Sequence, residues 1–148
     1  MFTEAHYQAV LKFFYFMLLD ESLALAAALD TVKRIQTLLK KAPTLKMELL
    51  LIDTMQTVLV RYRKRQRHLV LTTPAKSEFK ISNLDHLVRW KEFMKKSDDQ
   101  INETLVLRYI LDYTPELIAE GLGVPVGTVF YRIRHGLDTI SVTGNVLR

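Results

Sequence analysis

Along most of this chain, apolar residues recur at intervals of three and four, the spacing of a helix face and not of a strand. Between Glu4 and Leu19, the residues Tyr7, Val10, Leu11, Phe14, Met17 and Leu18 make one such stripe. Asp20 and Ser22 are suited to cap a second helix, along which Leu25, Ala28, Leu29, Val32, Ile35 and Leu39 continue the pattern to Lys40 and Lys41. Pro43 ends it, because proline disfavours helical backbone in the residue before it. Thr44 then opens a long helix through Leu49, Ile52, Met55, Leu59 and Tyr62, which closes in Arg61-Tyr62-Arg63-Lys64-Arg65-Gln66-Arg67-His68.

Thr72-Thr73-Pro74-Ala75-Lys76-Ser77 combines helix breakers with a loss of periodicity and reads as a linker. Ser82 and Asp85 form a capping pair for a helix carrying Leu84, Leu87, Val88, Phe93 and Met94. Ser97-Asp98-Asp99 caps the next, with Ile101, Leu105, Val106 and Tyr109 on one face, and two short helices follow. The pattern therefore predicts an all-α chain of two small helical domains, residues 1–73 and 84–148, joined by a linker at 74–83. The C-terminal domain is expected to contain a helix-turn-helix.

That expectation rests on residues 113–140. Thr114 is a good N-cap, and Pro115 sits at the first helical position, where its missing N–H costs nothing. Leu117, Ile118 and Leu122 supply a buried side, with Ala119 small where another helix must cross. Gly123, four residues on, suits a left-handed turn. Val124-Pro125 leads into a second helix, whose Val129, Ile133 and Leu137 are expected to face inward. A small residue, a glycine four on and a β-branched residue six further is the helix-turn-helix pattern. Thr128, Tyr131, Arg132, Arg134 and His135 then occupy exposed or flanking arcs. Such a helix suits the major groove, where arginine bridges guanine O6 and N7. Ordinary solvated charge is the plainer reading of the two arginines, and Phe130 fits either a core slot or a partner contact.

Composition narrows the classes. Hydrophobic residues make up 49% of the chain and charged ones 25%, enough apolar material for a packed core. The absence of cysteine excludes disulfides and zinc–thiolate sites. His6, His68, His86 and His135 lack ligand spacing, so structural roles are expected and no metal or other cofactor is implied. No Ser/His/Asp set or glycine-rich phosphate loop can be assembled, which argues against an enzyme. The start Met-Phe-Thr-Glu has no basic leader, and the apolar runs fall short of the roughly 20 residues that cross a bilayer. A soluble, cytoplasmic protein without membrane association is expected.

The net charge of +5 is unevenly placed: residues 1–97 carry 17 Lys/Arg against 9 Asp/Glu, and residues 98–148 carry 4 against 7. Phosphate attraction should therefore concentrate near the Arg/Lys run, which counts against a simple one-module DNA binder. A solvated helix end with cations at the C-terminal dipole explains part of that run. Five cations between Arg61 and Arg67 exceed what capping needs, however, and Tyr62 is placed to stack on an unpaired base.

Val106-Leu107-Arg108-Tyr109, Ile118-Ala119-Glu120, Leu122-Gly123-Val124-Pro125-Val126-Gly127-Thr128-Val129 and Arg132-Ile133 together resemble region 4 of the extracytoplasmic-function sigma factors of bacterial RNA polymerase. The aromatic opening helix, Leu19-Asp20-Glu21 and the arginine-rich helix end resemble that family's region 2 in order. The resemblance implies a transcription initiation factor with two DNA-facing modules. Thr128, Tyr131, Arg132, Arg134 and His135 would read the −35 element. Arg61, Tyr62, Arg63, Lys64, Arg65 and Arg67 would lie at the −10 element. It further implies double-stranded promoter DNA and RNA polymerase core, through its β′ clamp and β-flap, as partners, and allows an anti-sigma factor. Two departures stand out. Leu25-Ala26-Ala27-Ala28-Leu29 replaces the acidic stretch that engages the clamp, and Phe130-Tyr131 occupy positions usually Lys and Ser. These departures motivate an alternative, a sigma-derived DNA-binding or protein-interaction regulator that does not melt promoters.

Overall fold

Seven α-helices and one π-helical segment make up the residues that the computed structural model describes, 2–72 and 85–143, with side chains described for 2–67 and 87–141. They are α1 (Glu4–Leu18), α2 (Glu21–Lys41), α3 (Met47–Thr72), α4 (Asp85–Lys96), α5 (Asp99–Leu105), the π segment (Val106–Ile110), α6 (Pro115–Leu122) and α7 (Val126–Thr143). The fold is all-α, with no strand among the described residues. No helix there is long and apolar enough to cross a membrane. The chain divides into two compact units, Met1–Phe79 and Lys80–Arg148. The expected linker at 74–83 and the Ser82 cap lie outside the described residues.

In the first unit, α1 opens on a reciprocal cap. Thr3 Oγ1 accepts from the His6 amide, and His6 Nδ1 accepts from the Thr3 amide at 3.0 Å. Leu19, at φ 52°, closes α1 in the left-handed region, and Asp20 Oδ1 accepts from the Leu23 amide at 2.9 Å to start α2. This tight corner folds α2 back along α1. Beside it, burial and then the Glu21 carboxylate push the Tyr15 phenol above its ordinary value. Phe13, Phe14, Met17, Ile35, Leu51 and Met55 lie at the centre of this core.

The inward face of α2 differs from the expected stripe. Leu23, Ala24, Ala27, Ala28, Thr31 and Ile35 are buried, whereas Leu25 and Leu29 are each 47% exposed. The alanines let α1 and α3 approach closely, and Thr31 hides its hydroxyl by donating to the Ala27 carbonyl at 2.8 Å. A turn at Pro43–Leu45, with the Leu45 amide on the Ala42 carbonyl, delays α3 until Met47 instead of letting it begin just after Thr44.

The second unit is built around α5, in which Ile101 to Leu105 are all buried. Trp90 and Phe93 of α4 are buried with their rings stacked, centroids 5.5 Å apart. Val88 was expected inside but is 59% exposed, because the inner row of α4 passes through Leu87, Trp90 and Phe93. Asn102, fully buried, donates its side-chain amide to the Met94 carbonyl and so fastens the end of α4.

After Leu105 the helix widens, and the Leu111 amide reaches back five residues to the Val106 carbonyl at 3.1 Å. The extra residue per turn rotates the later positions. Leu107 is buried, and Tyr109, expected on the inner face, is 42% exposed.

Thr114 Oγ1 accepts from the Leu117 amide, with Pro115 in the first helical turn, so α6 starts as its sequence requires. Gly123, at φ 70°, ends it, and the Val124 amide bonds to the Ala119 carbonyl at 3.0 Å. Three residues later α7 begins. It runs through 18 residues and is not the short helix expected.

Candidate nucleic-acid interface

The outer arc of α7 exists because its inner arc is occupied. Val129 (0% exposed), Gly136 and Ile140 face the unit's interior, and α7 packs on both α5 and α6. A Cβ at Gly136 would stand 2.7 Å from Leu105 Cδ1 and 3.1 Å from Ile101 Cγ2, so α5 passes directly over that glycine. Leu137, expected to face inward, is instead 40% exposed. The cause is the helical pitch: inward positions after Val129 fall at 133, 136 and 140, and 137 lies beyond them. Ile133 is half-buried.

Of the residues expected to read duplex DNA, Tyr131, Arg134 and His135 project outward. The Tyr131 and His135 rings stack one helical turn apart, centroids 5.8 Å and planes 18° from parallel, which presents one flat surface. Arg134 stands beside that pair. Thr128 and Arg132 are half-buried on the flank, and Arg132 Nη2 reaches Gln100 Oε1 at 3.5 Å, the long limit of a hydrogen bond. Phe130 is 51% exposed, which removes the core alternative for it.

In the first unit, the basic run occupies the C-terminal half of α3, where periodicity separates its members. Lys64 and Arg67 lie on the outward row, Arg61 and Arg65 on one flank, and Arg63 half-buried on the other. Arg63 Nη1 donates to Gln66 Oε1 at 2.8 Å, and the Gln66 amide group donates to the Leu18 carbonyl, tying α3 to the end of α1. Tyr62 was expected to stack on an unpaired base. It is only 5% exposed and belongs to the core, with Arg65 Cζ 5.1 Å from its ring centroid. A buried ring has no free face for a base, and the arginine lies over what remains accessible of it.

Asp30, an acidic residue beside the Leu25–Leu29 stretch, is a constraint whose ion pairing the sequence does not reveal. Its carboxylate holds Arg34 Nε at 3.1 Å and approaches Arg61 Nη1 at 3.7 Å, so part of the basic field is already offset. If this face meets nucleic acid, Asp30→Asn should raise the affinity severalfold and steepen the slope of log K against log salt by ~0.7–0.9, one phosphate contact. Fluorescence anisotropy at several salt concentrations measures this. An unchanged slope means that Arg61 touches no phosphate.

Among the described residues, no group of three or more His, Asp and Glu is placed to hold a metal ion. No protein-family model matches the chain, and no curated protein matches it either.

Proposed function

We propose that this chain is a DNA-binding transcription initiation factor of the sigma type, in which the second unit reads duplex DNA through α7 and the first unit contributes non-specific phosphate attraction. The observation that carries the reading is the pairing of two arcs on one helix. Val129, Gly136 and Ile140 anchor α7 just beyond a three-residue turn from α6, and the opposite arc offers Tyr131, Arg134 and His135 outward. A helix held in this way can enter the major groove without unfolding anything else. The reading makes α6, the turn and α7 a helix-turn-helix. Core RNA polymerase is its protein partner, promoter DNA its ligand, and binding its whole activity.

The buried Tyr62 favours a second reading, the regulator that binds without melting a promoter, because that ring is unable to capture an unstacked base. One experiment separates the two. A gel-shift selection from randomised duplexes, with and without core polymerase, is followed by transcription from the selected sequence. The double variant Arg132→Ala/Arg134→Ala is expected to lose roughly 10- to 100-fold affinity for the selected site while keeping its weak affinity for random duplex. Transcripts in the presence of core enzyme support the initiation factor, and selected binding without transcripts supports the regulator. Failure to select any duplex, or a double variant that binds like wild type, removes the DNA reading.

A further inference from the structure

The helix α2 carries two largely apolar rows. One is the buried Ala/Ile face already described. The other, Leu25, Leu29, Val32, Gln36 and Leu39, advances by four, three, four and three residues, the spacing of a seam between two helices lying side by side. Leu25 and Leu29 are each 47% exposed, Gln36 is exposed, and Val32 and Leu39 are half-buried. An open hollow lined by Phe2, Gln36, Leu39 and Lys40 extends the row at its lower end. A single exposed leucine needs no explanation, but a row in heptad register along a whole helix face marks a docking surface.

The charges at the two ends of α2 identify the occupant. Asp20 and Glu21 stand at the start of the helix, and Lys40 and Lys41 in its last turn. A helix laid antiparallel with the reversed order of charges complements both ends, and a second copy of α2 has that order. We propose that this chain self-associates through α2, antiparallel, about a two-fold axis level with the midpoint between Leu29 and Val32.

In that register Leu29 of each copy meets Val32 of the other, and Leu25 meets Gln36. Glu21 comes level with Lys40, and Asp20 with Lys41. Lys33 comes level with Ala28 and so avoids its own image. The opposed helix dipoles add to the attraction. Parallel pairing would set Glu21 beside Glu21 and Lys40 beside Lys40. The contact is isologous, so it closes at the dimer. It is also one helix wide, so dissociation is expected in the micromolar range, on the order of 1–100 µM.

Sedimentation velocity of the full chain across that range should show a reversible monomer–dimer equilibrium. Leu25→Glu/Leu29→Glu is expected to weaken it by at least about tenfold while keeping the melting curve measured below the dimer's concentration range close to wild type, since both side chains are substantially exposed in the monomer. Glu21→Lys should weaken the dimer, and adding Lys40→Glu should restore it. Because the chain has no cysteine, orientation can be read by cross-linking. Leu25→Cys mixed with Gln36→Cys should form a mixed disulfide, and Leu25→Cys alone should not, its two copies lying ~16 Å apart along the axis. A wild-type chain that stays monomeric, a dimer indifferent to the two glutamates, or efficient self-cross-linking of Leu25→Cys would each overturn the proposal.

Discussion

Val129→Asp is expected to unfold the second unit in the absence of any denaturant. Val129 is fully buried where α7 leaves the turn after α6, so an introduced carboxylate would lose its hydration. An unpaired buried charge costs several kcal/mol, against a total stability on the order of 3–10 kcal/mol for a unit of roughly 70 residues. The measurement is simple because the chain has one tryptophan, Trp90, buried in this same unit. Its emission should shift to the red in Val129→Asp at 25 °C, and limited proteolysis should cut within α5–α7 while α1–α3 stay protected. Val129→Ala removes volume without adding charge and is expected to leave a folded, weakened unit. Native blue emission from the aspartate variant would mean that the valine does not anchor α7.

The second large effect is expected at Gly136, where α5 lies over α7 with no room for a side chain. Two terms oppose each other in Gly136→Ala. Helix propensity favours alanine by about 1 kcal/mol, and the 2.7 Å approach to Leu105 Cδ1 requires core rearrangement costing about 1–3 kcal/mol. Overpacking is expected to prevail because Leu105, whose methyl group would have to shift, is itself fully buried, so a net loss of up to ~2 kcal/mol is expected. Gly136→Leu multiplies the clash without a further propensity gain and should cost more than ~3 kcal/mol. Urea titrations followed by Trp90 emission give both values. A stabilised alanine variant would show that α5 and α7 sit farther apart than described.

Much of the helical framework was legible because its signals are local. Asp20, Thr114, Pro115 and Gly123 act within one turn of their own positions, and each stands at the helix boundary that its chemistry demands. Face assignment was less secure, since it depends on which neighbour approaches. The burial of Ala24 and Ala27 in place of Leu25 and Leu29 is a packing choice, and an apolar count ranks those residues the other way. Trp90 and Phe13, two of the largest buried side chains, stand outside the expected stripes for the same reason. A glycine carries no hydropathy signal, so Gly136 at the helix crossing was invisible and Leu137 was assigned its slot.

Within the candidate interface, residue type was readable and partnership was not. Arg61 to Arg67 form one block in sequence, yet they divide into outward cations, an arginine spent on Gln66 and another held by Asp30, which lies far away in the chain. Tyr62 sits between arginines and still faces the core, because the helical period, not its immediate neighbours, decides its direction. On α7, the stacking of Tyr131 on His135 follows from their four-residue spacing and was available from the sequence, but it had no meaning until both rings were known to be outside.

The π-helical turn at Val106–Ile110 makes the placement of α6 a matter of counting. A turn that accommodates one residue more than its neighbours behaves as an inserted spacer, and every position beyond it is rotated by about 100° from where an unbroken α-helix would carry it. Removing a single residue there would leave each cap and each apolar side chain of α6 chemically intact and aim them in the wrong direction. The direction in which the chain leaves this segment is therefore stored partly as a length, a quantity set by the number of residues and not only by their chemistry.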